Sequence, residues 1–356
     1  MTPPSSAPRV PRPAQGSLVD VPGLKVGHHT LASRLSGCSV VLTGPAGAVA
    51  AVDVRGAAPG TRETDLLDAS NLVDRVHAIA LCGGSAFGLD AASGVMRWLD
   101  ERGIGFATPQ GAVPIVPAAV LFDLSLVRPG DDPRARPDAA AGYAACEAAQ
   151  STHPASGNVG AGAGATVGKL FGPDRAMKGG IGHASVCVGP WVVAAMVACN
   201  AVGDVIDPAN GRILAGARTA DGLHCIDTQR ALLDGHTLQA PVPGTNTTIG
   251  VIATNARLDK AQAKRMAMSG HDGLARSIRP AHTPYDGDTL FALATGSEPS
   301  TPNLLLLSVM AAEATALATL DAIFSAQGLH TTMGWLPAAG DLAKTAKGHF
   351  GQEKTP

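Results

Sequence analysis

The sequence predicts a layered α/β fold, and three observations support this prediction. Apolar segments of strand length alternate with segments of helical periodicity along the 356 residues, and some of the strands come in pairs. Hydrophobic residues make up 45% of the chain and charged residues 16%, so the chain can bury a large core and is not disordered. It has 43 glycines and only 3% aromatic residues, which indicates an interior of small aliphatic side chains with close backbone contacts.

The first elements follow a Pro-rich N-terminal segment. Residues 1–19 contain no apolar stretch of the kind found in a secretory signal, so we expect a flexible tail there. Residues 39–54 predict two strands around a Gly-Pro-Ala-Gly turn, and residues 78–84 predict a buried strand that ends in glycines. The apolar residues that follow have helical spacing, with Gly103 as the expected end of the helix.

The middle of the chain is less regular. Residues 112–127 are apolar, but Pro114 and Pro117 limit a strand there to an edge or an irregular piece of sheet. Residues 139–150 predict a helix of small residues. Residues 208–246 show no sustained period, and a loop of this length in a compact protein is usually functional or disordered.

Regular elements return in the rest of the chain. The predicted strands are residues 184–188, 191–207, 247–255 and 288–296, and the predicted helices are residues 258–269 and 303–327. The most apolar run, residues 304–324, contains Glu313 and Asp321, so we expect no membrane-spanning segment and a cytoplasmic location.

Charge and short motifs argue against several functions. The net charge of −2 argues against nucleic-acid binding, which needs clustered cationic residues. The glycine-rich residues 157–169 fail the P-loop pattern, because Ala163 stands where the first glycine is required and Leu170 follows the lysine. The sequence contains no HExxH motif, and its cysteines and histidines are scattered. We therefore expect neither a nucleotide nor a metal cofactor.

A serine nucleophile is one candidate for the chemistry. Ser85 follows a predicted strand and precedes a predicted helix, which is the layout of a nucleophile elbow. The elbow pattern requires glycine at position 87, where this chain has Phe87. The alternative interpretation of Ser85 is a residue of a glycine-rich structural turn.

A second candidate is the segment Asn246-Thr247-Thr248, where the long loop meets an apolar strand. Cleavage before Thr247 would expose its α-amine beside its own hydroxyl, and an α-amine with a pKa near 7.7–8.0 can act as the base for that hydroxyl. A threonine at the start of a strand is also an ordinary structural feature, and this alternative stays open.

Two carboxylates precede the next predicted strand. Asp286 and Asp288 are close enough in sequence to repel each other, so one of them can hold a proton while the other stays charged. Such a pair could orient a threonine hydroxyl and ammonium. The alternative is a turn with an aspartate cap.

Taken together, these stretches resemble the L-aminopeptidase/D-esterase family of self-cleaving N-terminal-nucleophile hydrolases, which includes β-peptidyl aminopeptidases and the nylon-oligomer hydrolase. The resemblance covers almost the whole chain after the tail. The segments that carry it are VPGLKVGHHT, DVRGAAPGTRETDLLD, LCGGSAFGLDAASGVMRWL, VPIVPAAVLFDL, GNVGAGAGATVGK, MKGGIG, NAVGDVIDP, NTTIGVIATNA and HTPYDGDTLFALATG.

The resemblance implies a self-cleavage site and a nucleophile. NTTIGVIATNA is similar to the family's cleavage segment, which makes Asn246–Thr247 the bond that is cut and Thr247 the nucleophile. The Asn-Thr pair and the DGD motif of Asp286 and Asp288 are the forms found in the nylon-oligomer branch of the family.

Three further residues acquire expected roles from the same resemblance. Asn200 matches the asparagine whose amide helps to bind the oxyanion, and Lys169 matches a lysine near the nucleophile. Phe122 is a substrate-pocket candidate that stands where the nylon-type enzyme has tyrosine, so a phenol hydrogen bond is absent and the substrate preference is open.

The resemblance also implies a fold and an assembly. The expected fold is a four-layered α/β/β/α sandwich, a single catalytic domain made of an α chain (residues 20–246 after the tail) and a β chain (residues 247–356) that stay associated. A homo-oligomer of such units and a small peptide or amide substrate are expected, with ω-amino-acid oligomers as one substrate class. Two alternatives remain: a serine ester or amide hydrolase that uses Ser85, and an uncleaved inactive relative that acts as a binding protein.

Overall fold

Two β-sheets packed face to face, each covered by helices on its outer side, form the fold of the computed structural model, which describes residues 16–236 and 244–342. The helices are α1 (Ala91–Asp100), α2 (Ala139–Glu147), α3 (Thr228–Leu233), α4 (Lys260–Ser277) and α5 (Leu304–Phe324).

The strands are short at the periphery and longest in the second sheet. In chain order they are β1 (Lys25–Thr30), β2 (Gly37–Leu42), β3 (Ala48–Val54), β4 (Gly60–Arg62), β5 (Arg75–Val76), β6 (Ala78–Cys82), β7 (Phe106–Thr108), β8 (Gly111–Val113), β9 (Ala118–Val120), β10 (Thr166–Val167), β11 (Met177–Lys178), β12 (Gly180–Val188), β13 (Trp191–Asn200), β14 (Asp204–Ile206), β15 (Ile213–Ala215), β16 (Thr247–Ala256), β17 (Ile278–Arg279), β18 (Thr289–Glu298), β19 (Leu329–Thr331) and β20 (Gly334–Leu336).

The sheet orders place strands from both halves of the chain together. The first sheet has the order β1-β2-β6-β9-β4, and the second has the order β12-β13-β16-β18-β3-β5. In the second sheet β16 and β18 are parallel, while β13 is antiparallel to β16. The segment before Thr247 and the segment after it therefore contribute neighbouring strands to one sheet.

Apolar side chains fill the three spaces between the four layers. Helices α1 and α2 pack on the first sheet, and α4 and α5 pack on the second. Between the sheets, Ile79 and Leu81 of β6 meet Met196, Val251 and Phe291 of the second sheet, and all five are fully buried. The expected α/β/β/α sandwich is thereby confirmed, as is an interior of mostly small aliphatic residues.

Helix α5 has the length and hydropathy of a membrane span, and half of the residues in its most apolar stretch are buried in the protein. Its buried residues, among them Leu307, Met310 and Ile323, belong to the core between the helices and the second sheet. This packing is typical of a core helix in an α/β layer.

Residues 16–19, which were predicted to belong to a flexible tail, pack on the body of the protein. Residues 1–15 lie outside the described residues, but the backbone from Ser17 forms a 3-10 turn with Leu18 fully buried in the core between the sheets. The burial of this apolar side chain holds residues 16–19 on the body of the protein.

The structure corrects three other sequence predictions. The strand after Pro117 is not at an edge: β9 lies between β6 and β4, and Pro117 takes part only as an acceptor for the Ala80 N–H. The predicted loop 208–246 contains β15 and α3, which are tied by the Asp204 carboxylate through bonds from the backbone N–H groups of Ala217 and Thr228.

Helix α4 continues past its predicted end at residue 269 to Ser277. Its glycines do not end it, because they allow close packing: a Cβ on Gly273 would lie 2.2 Å from the Ala312 carbonyl oxygen of α5. The glycine-rich stretch 157–169 serves the same purpose, with Gly162 against the backbone of Ile181.

Candidate active site

Three strand ends of the second sheet meet at one edge and bring the predicted residues together. β16 begins at Thr247, and its parallel neighbour β18 begins one residue after Asp288. The antiparallel strand β13 ends at Asn200, which pairs directly with Thr247 in the register. Side chains of directly paired residues lie on the same face of a sheet, so the Asn200 amide and the Thr247 hydroxyl are neighbours.

The residues on either side of the Asn246–Thr247 peptide bond are buried. Asn246 is fully buried and Thr247 is 3% exposed. The Thr247 hydroxyl donates to the carbonyl oxygen of Asn246, and the Gly287 N–H donates to the same oxygen at 2.9 Å. The carbonyl that precedes the threonine therefore accepts two hydrogen bonds, one from the hydroxyl and one from a backbone amide.

Gly287 can approach this bond because it lacks a side chain. A Cβ at this position would lie 2.6 Å from the Ala58 carbonyl oxygen and 3.0 Å from Thr247 Oγ1. The loop that contains Ala58 is itself fixed, since the Ala58 N–H donates to the Asp286 carbonyl oxygen at 3.0 Å. Glycine is therefore the residue that fits between the two chain segments.

Both oxygens of the Asp288 carboxylate accept hydrogen bonds. Its Oδ1 accepts from the Thr248 N–H at 2.7 Å, and its Oδ2 accepts from the N–H of His282 at 3.2 Å and from His282 Nδ1 at 2.8 Å. The backbone around Asp288 is also held, because the N–H groups of Arg55 and Gly56 donate to its carbonyl oxygen. Asp288 thus anchors the first residues of β16.

Asp286 has a different environment. Its Oδ2 accepts from the Thr283 N–H at 2.9 Å and from the Thr283 hydroxyl at 2.6 Å. Its Oδ1 is buried, and no hydrogen bond reaches it from the described part of the chain. Burial and then the charge of Asp288 raise the pKa of Asp286 to about 6. The two carboxyl groups therefore differ in their hydrogen bonding.

Lys169 points into the protein. Its Nζ donates to the Asn200 carbonyl oxygen at 3.0 Å, to Asn200 Oδ1 at 2.9 Å and to the Thr245 carbonyl oxygen at 3.5 Å. Burial lowers the pKa of Lys169 to about 7. Lys169 thus contacts Thr245, which precedes Asn246, and Asn200, which is the strand partner of Thr247.

Asn200 connects this lysine to Phe122. Its Nδ2 donates to the Phe122 carbonyl oxygen at 3.0 Å, while its Oδ1 also accepts from the Thr166 N–H at 3.0 Å. Phe122 therefore contributes a backbone carbonyl to the site, and its aromatic ring cannot replace the hydrogen bond of a phenol.

A cleft opens beside Lys169 and Thr166. It lies between the chain after β9, the chain after β15 and the β19–β20 hairpin. Its lining includes Ser125, Leu126, Arg218, Met333 and Trp335. Phe122 is not among the residues that line it. The cleft is lined by polar and apolar side chains, and two of its lining residues, Thr166 and Lys169, donate hydrogen bonds to Asn200.

Ser85 has the strand-turn-helix setting that the sequence predicts. It follows β6, opens a 3-10 turn and has a positive φ of 54°, although Phe87 replaces the glycine of an elbow. Its N–H donates to the Leu121 carbonyl oxygen at 2.9 Å. Its hydroxyl receives no histidine or carboxylate partner from the residues that the structure describes, so a base for a Ser85 nucleophile is missing there.

Three contributors to this site were not predicted from the sequence. Gly287 supplies an N–H to the Asn246 carbonyl, His282 holds Asp288, and His271 contacts the His282 ring. The available signal was the segment HTPYDGD, in which a histidine and a glycine accompany the two aspartates. Across residues 16–236 and 244–342, no group of three or more His, Cys, Asp or Glu side chains is placed to hold a metal ion.

Comparison with known sequences identifies the family. Residues 16–335 match the model of peptidase family S58. The chain is 44% identical to an uncharacterized aminopeptidase of Mycobacterium leprae, with 91% of this chain and 95% of the relative aligned. It is 35% identical to a 6-aminohexanoate-oligomer endohydrolase of Kocuria sp., with 80% of this chain and 76% of that enzyme aligned.

Solved structures share the fold. A Burkholderia sp. β-aminopeptidase superposes with a TM-score of 0.67 at 23% identity, covering 97% of this chain and 96% of that chain. The L-aminopeptidase D-Ala-esterase/amidase of Ochrobactrum anthropi, described as a variant of the N-terminal-nucleophile hydrolase fold, gives a TM-score of 0.68 at 19% identity with 95% of each chain covered. Together with the sequence matches, this fold leads to the conclusion that the chain belongs to peptidase family S58 and is a hydrolase of amide bonds.

Proposed function

We propose that the chain cuts itself at Asn246–Thr247 and then hydrolyses small amide substrates with Thr247 as the nucleophile. The observation that carries the proposal is the double hydrogen bond to the Asn246 carbonyl oxygen, from the Thr247 hydroxyl and from the Gly287 N–H. A nucleophile and a donor for the developing oxyanion thus meet at one buried peptide bond.

Self-cleavage would proceed through an ester. The Thr247 oxygen attacks the Asn246 carbonyl carbon while its proton leaves, and the Gly287 N–H stabilises the negative charge that develops on the carbonyl oxygen. The C–N bond then breaks, and the Thr247 nitrogen takes up the proton that the hydroxyl gave up, which makes it an amine. Water hydrolyses the ester and releases the Asn246 carboxylate, which leaves Thr247 as a new N-terminus.

Substrate turnover would use the same hydroxyl. In the cleaved protein the Thr247 amine accepts the hydroxyl proton as the oxygen attacks the substrate carbonyl, and it returns the proton to the leaving amine. The Asn200 amide, which lies beside Thr247 in the register, is our candidate donor to the substrate oxyanion. When it is protonated, Lys169, which contacts the Thr245 carbonyl oxygen, would lower the pKa of the amine and so keep it a competent base.

The two parts of the cleaved chain would remain together. β16 and β18 from the second part lie between β13 and β3 from the first part in a single sheet. Separation would break both ladders and expose the buried layers on each side of the sheet, and this cost supports the proposed association.

For the substrate class we propose short amides with a free amine, including linear ω-amino-acid oligomers. Support comes from the relatives, one named an aminopeptidase and another a 6-aminohexanoate-oligomer endohydrolase. The cleft beside Lys169 and Thr166 is the proposed route for the substrate.

Intact mass spectrometry under denaturing conditions tests the proposal, with the wild-type chain beside Thr247→Ala, Thr247→Ser and Ser85→Ala. We expect wild type and Ser85→Ala to yield two fragments, the second of which begins at residue 247. Thr247→Ser keeps the hydroxyl and should also be cleaved, whereas Thr247→Ala should remain whole. The cleaved proteins are then assayed with amino-acid p-nitroanilides and 6-aminohexanoate oligomers.

Two outcomes would contradict the proposal. A wild-type chain that stays whole would leave Thr247 as an ordinary strand residue. A cleaved wild type whose turnover disappears in the folded Ser85→Ala variant would assign the hydrolysis to Ser85 instead.

A further inference from the structure

A histidine that the family comparison and the proposed mechanism leave without a role lies behind the carboxylate pair. His282 approaches Asp288 Oδ2 with two donors, its backbone N–H and its Nδ1. A carboxylate oxygen only accepts hydrogen bonds, so His282 Nδ1 carries a proton. The other oxygen of Asp288 accepts from the Thr248 N–H at 2.7 Å. His282 thereby fixes the rotation of the carboxylate that holds the residue after Thr247.

His282 is itself held by a second histidine. The His271 ring stands edge-on to it, with ring centroids 4.8 Å apart and an interplanar angle of 69°. His271 is fully buried on α4, and its Nε2 donates to the Asp53 carbonyl oxygen at 2.9 Å. The Asp53 carboxylate forms ion pairs with Arg55 at 2.9 Å and with Lys264 at 3.0 Å. A chain of contacts thus runs from the end of β3 through two histidines to Asp288.

The charges around His282 favour this arrangement. Burial lowers the pKa of His282, but the hydrogen bond and charge of Asp288 raise it by more, and the net effect is a pKa above the usual value. Arg55 acts in the opposite sense on the same ring. Burial lowers the pKa of His271 to about 4, so the ring that packs on His282 is neutral near neutral pH.

The backbone at His282 also constrains what can stand there. Its φ is +55°, in the left-handed region that glycine adopts freely and that asparagine tolerates better than most residues. Asparagine keeps a side-chain N–H donor, and glycine has none. Substitution by either residue therefore leaves the backbone conformation accessible and changes only the side chain.

We propose that His282 is a positioning residue, whose Nδ1–H locks Asp288 so that Thr248, and with it the Thr247 hydroxyl, stays on the Asn246 carbonyl. The inference rests on the proposed function of Thr247. His282 acts through Asp288 and not by contact with the reacting bond. Loss of the Nδ1–H donor would free the Asp288 carboxylate to rotate and would weaken its hold on Thr247 and Thr248, the first two residues of β16.

The test is a time course of self-cleavage by the full-length chain made in a cell-free system and followed by intact mass. The variants are His282→Asn, His282→Gly and His282→Leu, the last of which fills the space without donating. His183→Asn is the matched control, because His183 is a buried histidine whose ring nitrogens have no hydrogen-bond partner within the described residues. Folding of each variant is checked by denaturant unfolding of the same substitution in a Thr247→Ala background.

We expect His282→Asn and His183→Asn to cleave within about 3-fold of the wild-type rate. His282→Gly and His282→Leu should be slower by roughly 10- to 100-fold, the range that corresponds to one lost hydrogen bond to a charged group. If His282→Gly does not fold, His282→Leu decides the question once its stability in the Thr247→Ala background is shown to match that of His282→Asn, because leucine tolerates the φ of +55° less well than asparagine does. Rescue by asparagine is the readout that separates positioning of Asp288 from simple filling of space.

Each contrary result is distinct. Folded His282→Gly or His282→Leu with the wild-type rate would overturn the role of His282 while Thr247 remains the nucleophile. Folded His282→Asn as slow as His282→Leu would show that the donor is not what matters. A wild-type chain that does not cleave would overturn the proposed function, and the role of His282 would fall with it.

Discussion

Gly287→Ala is the smallest change that tests the geometry at the cleavage bond. The added Cβ would lie 2.6 Å from the Ala58 carbonyl oxygen and 3.0 Å from Thr247 Oγ1. Real Cβ atoms are not found as close as 2.6 Å to a backbone oxygen, so the backbone at residue 287 has to move. Since its N–H donates to Asn246 at 2.9 Å, the same movement lengthens that bond.

The expected loss can be worked from this displacement. Removal of one oxyanion donor typically costs about 10²–10³ in rate, and overpacking of a buried site costs about 1–3 kcal/mol of stability. We therefore expect Gly287→Ala to fold with reduced stability and to cleave itself about 100-fold more slowly than wild type. Cell-free synthesis with intact-mass sampling gives the rate, and urea unfolding of the same change in a Thr247→Ala background gives the stability.

Gly340→Ala is the matched control. Position 340 has open space around its Cβ direction and no positive φ, so the same methyl group should change neither the cleavage rate nor the stability appreciably. The reasoning is refuted if folded Gly287→Ala cleaves at the wild-type rate, because the Gly287 N–H would then not support the reacting carbonyl.

Two further predictions concern buried charges. Because the folded-state pKa of Asp286 is raised from 3.8 to about 6, the folded chain keeps a proton that the unfolded chain releases, and stability is lost as the pH rises through this window. We expect the free energy of unfolding of Asp286→Asn, measured with urea in a Thr247→Ala background, to rise relative to that of its parent by at most about 3 kcal/mol between about pH 4 and pH 7. A difference between the two proteins that does not change with pH would contradict the raised pKa. Lys178 is fully buried and its Nζ donates to three backbone carbonyl oxygens at 2.8–3.0 Å. Lys178→Met should destabilise the same background by at least about 3 kcal/mol, because three buried carbonyl oxygens lose their donor. Lys25→Met, at an exposed lysine, is the control and should not destabilise it. Equal urea midpoints for Lys178→Met and Lys25→Met would refute this prediction.

The fold followed from the sequence wherever the pattern was local. The two strands on either side of Gly44–Gly47 and the helix before Gly103 depend on residues a few positions apart, and their type was predicted correctly. The errors arose where a distant partner decides. Pro117 can stand directly before an interior strand, because the Ala80 N–H requires only a carbonyl acceptor there. Helix α4 runs through Gly273 because α5 packs closely against this glycine.

The site was predictable in part for the same reason. Asn246, Thr247 and the two aspartates lie in short segments whose residue types suggest their chemistry. Gly287 and His282 belong to the same stretch as the aspartates. The local sequence does not show that the Gly287 N–H donates to the Asn246 carbonyl oxygen or that the His282 ring donates to Asp288. These contacts exist because parallel strands β16 and β18 start at the same edge of the sheet.

The sequence by itself determined the alternation of strands and helices, the apolar composition of the layers and the segment that holds Thr247. Hydrophobic periodicity and turn residues carry this information, since both act over a few neighbouring residues. Only the tertiary structure decided which distant groups meet: Asn200 opposite Thr247, Lys169 against Asn200, and Gly287 against Asn246. Strand order and register set these contacts. Both faces of the sheet are buried, so only one pairing of the strands forms the backbone hydrogen bonds and also places the apolar side chains in the core.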